Sequence, residues 1–366
     1  MLQPETVLAK ILNNLAVGQT PTSWEWQQLV AEALADERRA KAFGITSANV
    51  EQVIHQRAII FSSVYPDILI QFPGFSNEVL LSTPELSLVT LILLWNLWLP
   101  LAMQLASWRQ QLGRPLIQGV LGGQGTGKTT LSAVLSLILD HLGYRTLSLS
   151  LDDLYKTYAE RQHLQQQDPR LIWRGPPGTH DVELGKQLLD QLRQPNLEQP
   201  VFVPRFDKSA WGGVGDRTTP EMVEGIDIVL FEGWFVGVRP IDPAIFDAPM
   251  PAPIQTSADR SFARDMNDRL KDYLPLWECL DRLMLLYPVD YRLSQQWRRQ
   301  AEQQMIATGK SGMADSQIDE FVEYFWRSLH PELFVTPLTR NSSWVDLVIE
   351  INRDRSIAAI YQPRDI

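Results

Sequence analysis

The sequence predicts an α/β protein: a mainly parallel sheet flanked by helices and carrying a phosphate-binding loop, preceded by an N-terminal helical region. Three observations predict it. First, Gly122-Gly123-Gln124-Gly125-Thr126-Gly127-Lys128-Thr129 fits G-x-x-x-x-G-K-[ST]. Second, the motif has the right flanks. Leu116-Ile117 and Val120-Leu121 before it read as a short buried strand. Leu131, Val134, Leu135, Ile138 and Leu142 after it recur at helical spacing until Gly143. Third, apolar runs at Thr146–Leu151, Ile226–Phe231, Leu280–Tyr287 and Val345–Ile351 alternate with helical patterns, the signature of a parallel sheet.

Taken in order, residues 1–112 read as helical and hold no catalytic pattern. Pro21-Thr22-Ser23 starts a capped helix predicted over Trp24–Arg39, with Trp24, Leu29, Val30, Ala33 and Leu34 as its apolar face. Leu86–Trp108 holds no charged residue and is long enough to cross a bilayer. Pro100, Asn96 and Gln104 within it, the lack of a preceding basic cluster, and the start at Thr83-Pro84-Glu85 favour a buried helix instead. The region between Tyr155 and Glu224 is too long for a plain crossover, so inserted functional loops are expected.

The chain has 366 residues, 45% of them hydrophobic, enough for a large core. Its net charge of −10 argues against a nucleic-acid partner. One cysteine, Cys279, allows neither an intrachain disulfide nor a cysteine zinc site. With no basic segment leading into an apolar run at the start, a cytoplasmic location is expected.

The chemistry starts at the glycine loop. Gly122 to Thr130 should cradle a nucleoside triphosphate through backbone N–H groups at a helix N-terminus. Lys128 should reach the β- and γ-phosphates, and Thr129 a magnesium ion. Asp152 ends the second strand, on the edge where open α/β sheets bind ligands. It can act as a general base on an acceptor hydroxyl; the competing reading is a helix cap, which suits Asp153 better. Glu232 ends the strand Asp227–Phe231 and is placed to hold the magnesium shell; a surface carboxylate is the alternative. Arg205, Lys208 and Arg217 form a candidate pocket for an anionic substrate, or a solvated loop with internal ion pairs. His180 and Asp181 can bind hydroxyls, or cap the helix starting near Val182. Arg298, Arg299 and Lys310 belong to a predicted helix over Tyr291–Ala307 and its end. They can close as a lid on the phosphates, with Arg298 on the nucleotide, or form a solvated face. The histidines show no metal-ligand spacing, and no serine elbow is present.

These pieces together resemble the phosphoribulokinase, uridine kinase and pantothenate kinase superfamily, and more narrowly the D-glycerate 3-kinases of plants, fungi and cyanobacteria. The resemblance rests on Ser150-Leu151-Asp152-Asp153-Leu154-Tyr155, Arg174-Gly175-Pro176-Pro177-Gly178-Thr179-His180-Asp181 and Pro204-Arg205-Phe206-Asp207-Lys208-Ser209. It continues through Gly215-Asp216-Arg217, Glu232-Gly233-Trp234, Trp297–Glu302 and Gly309–Met313, covering about residues 115 to 360. Pro176, Val214 and Arg299 depart from the usual family residues, each beside a motif rather than on its charged members. The resemblance implies a P-loop kinase domain over 113–366, with substrate loops over 155–224 and a helical lid over 291–313. It implies ATP and Mg2+ as cofactors and transfer of the γ-phosphate to D-glycerate, a photorespiratory salvage step in photosynthetic organisms. In that pocket Arg205, Lys208 and Arg217 would meet the carboxylate, His180 or Asp181 the 2-hydroxyl, and Asp152 the 3-hydroxyl proton. The rivals are another small-molecule kinase of the superfamily, a nucleotide-binding switch and a membrane-attached protein. The guanine-reading N-K-x-D and the transporter L-S-G-G-Q patterns are both absent.

Overall fold

The computed structural model describes residues 4–75, 86–195, 199–307 and 314–365. The chain opens with α1 (Pro4–Ala16), α2 (Ser23–Ala35), α3 (Glu37–Ala42) and α4 (Val50–Gln71). Thr22 caps α2 in a capping box with Glu25. The single helix expected over Trp24–Arg39 is two helices. The Asp36 carboxylate accepts the Arg39 N–H and so ends α2 by capping α3. Trp24 is exposed, and Trp26 packs inward in its place, against His55.

The apolar stretch is likewise interrupted. It forms α5 (Leu88–Leu93), a π-helical turn over Leu94–Trp98, and α6 (Leu99–Leu112). Pro100 has no N–H to give the Asn96 carbonyl, and the wider turn absorbs that defect. By length and composition this helical stretch could cross a membrane, yet 61% of its apolar window is buried within the protein. Its polar groups are matched inside: the Asn96 amide donates to Glu32 at 3.0 Å, and the Gln104 amide to the Ala42 carbonyl at 3.1 Å. Thr83-Pro84-Glu85 lies outside the described residues.

Then follow β1 (Leu116–Gly122), α7 (Lys128–His141), β2 (Thr146–Ser150), α8 (Tyr158–Gln167) and α9 (Val182–Leu192). Next come β3 (Val201–Asp207), β4 (Asp216–Val223), β5 (Ile228–Gly233), α10 (Ser257–Arg269), α11 (Leu274–Trp277) and β6 (Arg282–Pro288). The chain ends with α12 (Leu293–Ala307), α13 (Asp315–Ser328), α14 (Pro331–Phe334), β7 (Leu347–Ile351) and β8 (Ile357–Tyr361). Six strands form one sheet in the order β2-β5-β1-β6-β7-β8, parallel except for β8. Every residue of β1 is buried, as a central parallel strand requires.

Side chains alternate between two cores. Leu116, Val120, Ile228, Leu230, Met284 and Leu286 face a core shared by α7 and the N-terminal helices. Ile117, Leu121, Val229, Phe231, Leu283 and Leu285 face the other, shared with α9 to α11 and α13. The substrate-loop region holds the helix expected near Val182, as α9, and structure the sequence did not show: α8 and the antiparallel hairpin β3–β4. Pro204, which has no N–H for the ladder, sits where the hairpin register shifts between Val203 and Arg205.

Candidate active site

The carboxyl ends of β1, β2 and β5 meet at one place, because Glu232 of β5 lies across from Val120 of β1 on one side and Ser150 of β2 on the other. The glycine loop, the turn at Asp152 and Glu232 are therefore neighbours.

In the loop, Gly125 and Gly127 adopt left-handed φ of +75° and +85°, which lets the backbone curl before α7. A Cβ on Gly125 would stand 2.7 Å from the Cβ of Trp297, so α12 sits directly on the loop. Thr126 ties the curl by donating to the Gly123 carbonyl at 2.9 Å. Lys128 Nζ donates to the same carbonyl at 3.0 Å. Burial lowers the Lys128 pKa, against the pull of Glu232 and Asp152, which places all three in one electrostatic neighbourhood. The Thr129 hydroxyl donates to Glu232 Oε1 at 3.0 Å, while Glu232 Oε2 and the Gln124 side-chain oxygen are buried without a partner among the described residues. Two protein oxygens side by side, one of them unsatisfied, fit a magnesium ion that draws its remaining ligands from phosphate and water. Among the described residues no larger group of acids, histidines or cysteine is assembled for a metal. Thr130 follows on the exposed first turn of α7.

Asp152 and Asp153 divide their work within one 3-10 turn, Leu151–Leu154. Asp153 accepts from the Ser150 N–H at 3.0 Å and from Arg205 at 2.9 Å. Asp152 faces the loop side, where Lys208 Nζ meets it at 2.6 Å and the Tyr155 hydroxyl donates to it. Burial pushes the Asp152 carboxyl up, but the Lys208 ammonium and the Tyr155 hydroxyl outweigh it and hold the group below its ordinary value.

The next motif is sewn to this turn by backbone hydrogen bonds: Lys156 N–H to the Thr179 carbonyl at 3.0 Å, and Asp181 N–H to the Leu154 carbonyl at 2.7 Å. Asp181 caps α9 through the Leu184 N–H and also receives Arg217 at 2.9 Å. Arg217 further donates to the Tyr155 carbonyl at 2.9 Å. His180 is buried and stacks on the Tyr155 ring, with centroids 4.6 Å apart. Its Nδ1 lies 2.8 Å from the Tyr273 hydroxyl, and its Nε2 has no partner among the described residues. Burial pushes the His180 pKa down to about 3, so the ring is neutral.

The three basic loop residues thus converge on the acids of the two motifs, but not on one point. Lys208 holds Asp152 and Arg217 holds Asp181, whereas Arg205 grips Asp153, Glu221 and the Ser148 carbonyl at the root of the hairpin. In α12, Arg298 pairs with Glu302 and lies over the Phe321 ring, and Arg299 is bound by Asp319 of α13. Lys310 and Gly309–Met313 lie outside the described residues. At two of the departing positions the backbone makes the contact. The Pro176 carbonyl accepts from Thr179 at 2.8 Å, and the Val214 carbonyl from Arg161 and Arg174. Sequence reasoning passed over Tyr155 and Tyr273. Tyr155 had a signal, standing one turn after Asp152; Tyr273 had none.

No family model matches the chain. It is 33% identical over 221 residues to the uncharacterized kinase mug58 of Schizosaccharomyces pombe, covering 58% of this chain and 79% of that one. It is 30% identical over 254 residues to the chloroplastic D-glycerate 3-kinase of Arabidopsis thaliana. That match covers 66% of this chain and 54% of the plant protein's length. The solved D-glycerate 3-kinase of Cryptococcus neoformans superposes with a TM-score of 0.63 at 30% identity, over 72% of this chain and 99% of that one. With a P-loop, acids at the carboxyl ends of the neighbouring strands β5 and β2, and relatives of this closeness, the chain belongs to the D-glycerate 3-kinase family of P-loop kinases and is a phosphotransferase.

Proposed function

We propose that the protein transfers the γ-phosphate of ATP to the 3-hydroxyl of D-glycerate, giving ADP and 3-phosphoglycerate. The observation that carries this reading is the Lys208–Asp152 pair at the end of β2, beside the glycine loop and Glu232. A base and a cation in contact are what a small hydroxy acid needs, since it presents a hydroxyl and a carboxylate a few bonds apart. Two of its relatives, from Arabidopsis thaliana and Cryptococcus neoformans, are D-glycerate 3-kinases, which points to the same acceptor.

The residues divide the work as follows. The loop N–H groups and Lys128 hold the β- and γ-phosphates, where charge shifts as transfer proceeds. Thr129 and Glu232 would hold magnesium, which neutralises phosphate charge when bound. Lys208 and Arg217 draw the acceptor carboxylate into the pocket. Asp152 receives the 3-hydroxyl proton as that oxygen bonds to the γ-phosphorus and the bond to the β-phosphate bridging oxygen breaks. One consequence follows from the pairing. When the substrate carboxylate engages Lys208, Asp152 loses part of the charge that suppresses its basicity. The base is strengthened by the arrival of its own substrate. The pocket cations Lys208 and Arg217 are each matched by an acid, which suits a singly charged acceptor better than a sugar phosphate.

The test is ATP and Mg2+ with D-glycerate, L-glycerate, uridine, pantothenate and ribulose 5-phosphate in turn, with ADP release measured and the product identified by phosphorus NMR. D-glycerate should turn over and carry phosphate on carbon 3. Turnover of uridine or pantothenate with D-glycerate inert would defeat the reading.

A further inference from the structure

Tyr273 ends the 3-10 turn between α10 and α11, wholly buried and far in sequence from the other site residues. Its oxygen accepts the Gly178 N–H at 2.9 Å. A phenolic hydroxyl has two acceptor positions and one proton. The backbone takes one acceptor position, and among the described residues His180 Nδ1, at 2.8 Å, is the one hydrogen-bond acceptor in reach of the proton. Nδ1 is therefore the acceptor. A neutral imidazole that accepts at Nδ1 carries its hydrogen on Nε2.

That Nε2–H is buried and has no partner among the described residues. Leaving a buried donor unmatched is costly, and such groups in native proteins usually await a ligand or water. The ring lies flat against Tyr155, whose hydroxyl binds Asp152, and the Asp152 charge reaches the imidazole. Phe235 and the Tyr273 ring close the other sides with their edges. The unmatched donor thus belongs to the acceptor end of the site.

We propose that Tyr273 is a positioning residue that locks His180 in the Nε2–H tautomer, making His180 a neutral donor to the 2-hydroxyl oxygen of the acceptor and a determinant of specificity for acceptors that carry that oxygen. The identity of the oxygen rests on the D-glycerate reading; the tautomer lock does not. An acceptor lacking the 2-hydroxyl leaves the donor unmatched, and sites built around such a donor reject the deoxy analogue strongly.

The tautomer is read directly by long-range proton–nitrogen NMR on histidine-labelled protein, with His180→Gln assigning the signal. The Nε2–H form is expected, and an Nδ1–H form overturns the lock. Kinetics then compare D-glycerate with 3-hydroxypropionate, which lacks the 2-hydroxyl. Tyr273→Phe should raise the D-glycerate KM about 10-fold, leave the ATP KM unchanged and narrow the preference for D-glycerate by a similar factor. An unchanged preference overturns the specificity role. If Tyr273→Phe fails to fold, His180→Leu carries the same test, because it removes the donor and leaves Tyr273 in place. Failure of the D-glycerate reading shows separately, as no turnover of D-glycerate by the wild type. An Nε2–H signal in that protein still upholds the lock.

Discussion

Replacing Lys208 by methionine keeps the length of the side chain and removes its charge. At the 2.6 Å separation of Lys208 Nζ and Asp152 Oδ2, Coulomb's law gives about 1.6 kcal/mol in bulk water and about 3 kcal/mol at an effective dielectric of about 40. The Lys208 side chain is 62% exposed, so solvent screening favours the lower figure. At about 1.4 kcal/mol per unit, the Asp152 pKa should rise by about one unit. Burial, which Lys208 no longer opposes, pushes the same way. In the wild type Asp152 is held below its ordinary value, so kcat/KM should stay level down to about pH 4. In Lys208→Met its acid limb should move up by about one unit and enter the measurable range. The assay is initial rates at limiting D-glycerate and saturating ATP between about pH 4 and 8, because kcat/KM reports the ionisations of the free enzyme. Lys208→Met also weakens substrate binding, but that lowers the whole profile without moving the limb. A limb that stays in place, or moves down, refutes the assignment of Asp152 as the base.

The remaining predictions concern the groups around this pair. Lys128→Ala should cost about 10²-fold or more in kcat with the melting temperature unchanged, since it removes charge stabilisation during transfer; near-normal turnover would exclude the phosphate-loop role. Gly125→Ala should lose about 1–3 kcal/mol in chemical denaturation and weaken ATP binding, because its φ of +75° strains an alanine and its Cβ meets Trp297 at 2.7 Å. Asp152→Asn should lose about 10²- to 10⁴-fold in kcat, whereas Asp153→Asn, which loosens the Ser150 cap and frees Arg205, should cost stability of about 0.5–2 kcal/mol and far less activity; the reverse ranking in steady-state assays would show the wrong acid was chosen. For His180 the folded pKa of about 3 lies below the ordinary 6.5, so the unfolded chain binds the extra proton between them. Its contribution is complete above pH 6.5 and is lost as pH falls toward 3, at up to about 1.4 kcal/mol per unit. Denaturation curves between pH 6 and 4 should flatten in His180→Gln, against the backdrop of Asp152 and Lys156 nearby and His330, which is also depressed.

What could be read in the sequence was what is local. The glycine loop, its strand and its helix are contiguous, and the acids Asp152 and Glu232 were placed by the apolar runs they terminate. Strand limits slipped by up to two residues because polar anchors, not hydropathy, set them. Asp227, read as the head of a strand, instead receives the Arg145 N–H and Arg109 just before β5 begins. The β3–β4 hairpin stayed hidden because Pro204 interrupts one strand, while Thr218 to Met222 in the other are exposed and carry no inward apolar alternation. The split at Asp36 was hidden for a related reason: a capping aspartate and a solvated helical aspartate look alike until the chain turns. Which cation meets which acid was beyond reach, since Lys208–Asp152 and Arg217–Asp181 join segments brought together only by the hairpin and the backbone bonds from Leu154 and Lys156. Tyr273 belongs to no motif and reaches the site only through the packing of α10 and α11.

The N-terminal helices gain a part in this geometry through the register of β1. Its carboxyl end must bring the glycine loop level with Glu232, and a slip of one residue would turn every side chain of the strand to the wrong core. Two arginines at the opposite edge of the sheet fix that register. Arg109, near the end of α6, meets Asp227 at 3.0 Å, just before β5. Arg114, one residue before Pro115, forks onto Asp281, just before β6, and Asp281 also accepts the Ile117 N–H at 2.9 Å. The partly exposed Arg109–Asp227 pair contributes about 0–1 kcal/mol, too little to matter as stability. The effect of the two arginines is positional: they align β1 with both neighbours at the edge where the helices deliver the chain. Meanwhile α4 and α6 pack on α7, the helix whose N-terminus carries Lys128 and Thr129. His141 at the end of α7 meets Asp67 of α4 at 2.8 Å. The loop is thereby held from both sides, by a strand whose register is pinned at its start and by a helix whose outer face is covered. A phosphate-binding loop works by presenting backbone N–H groups at fixed points, and those points are only as fixed as the strand and helix that end in it.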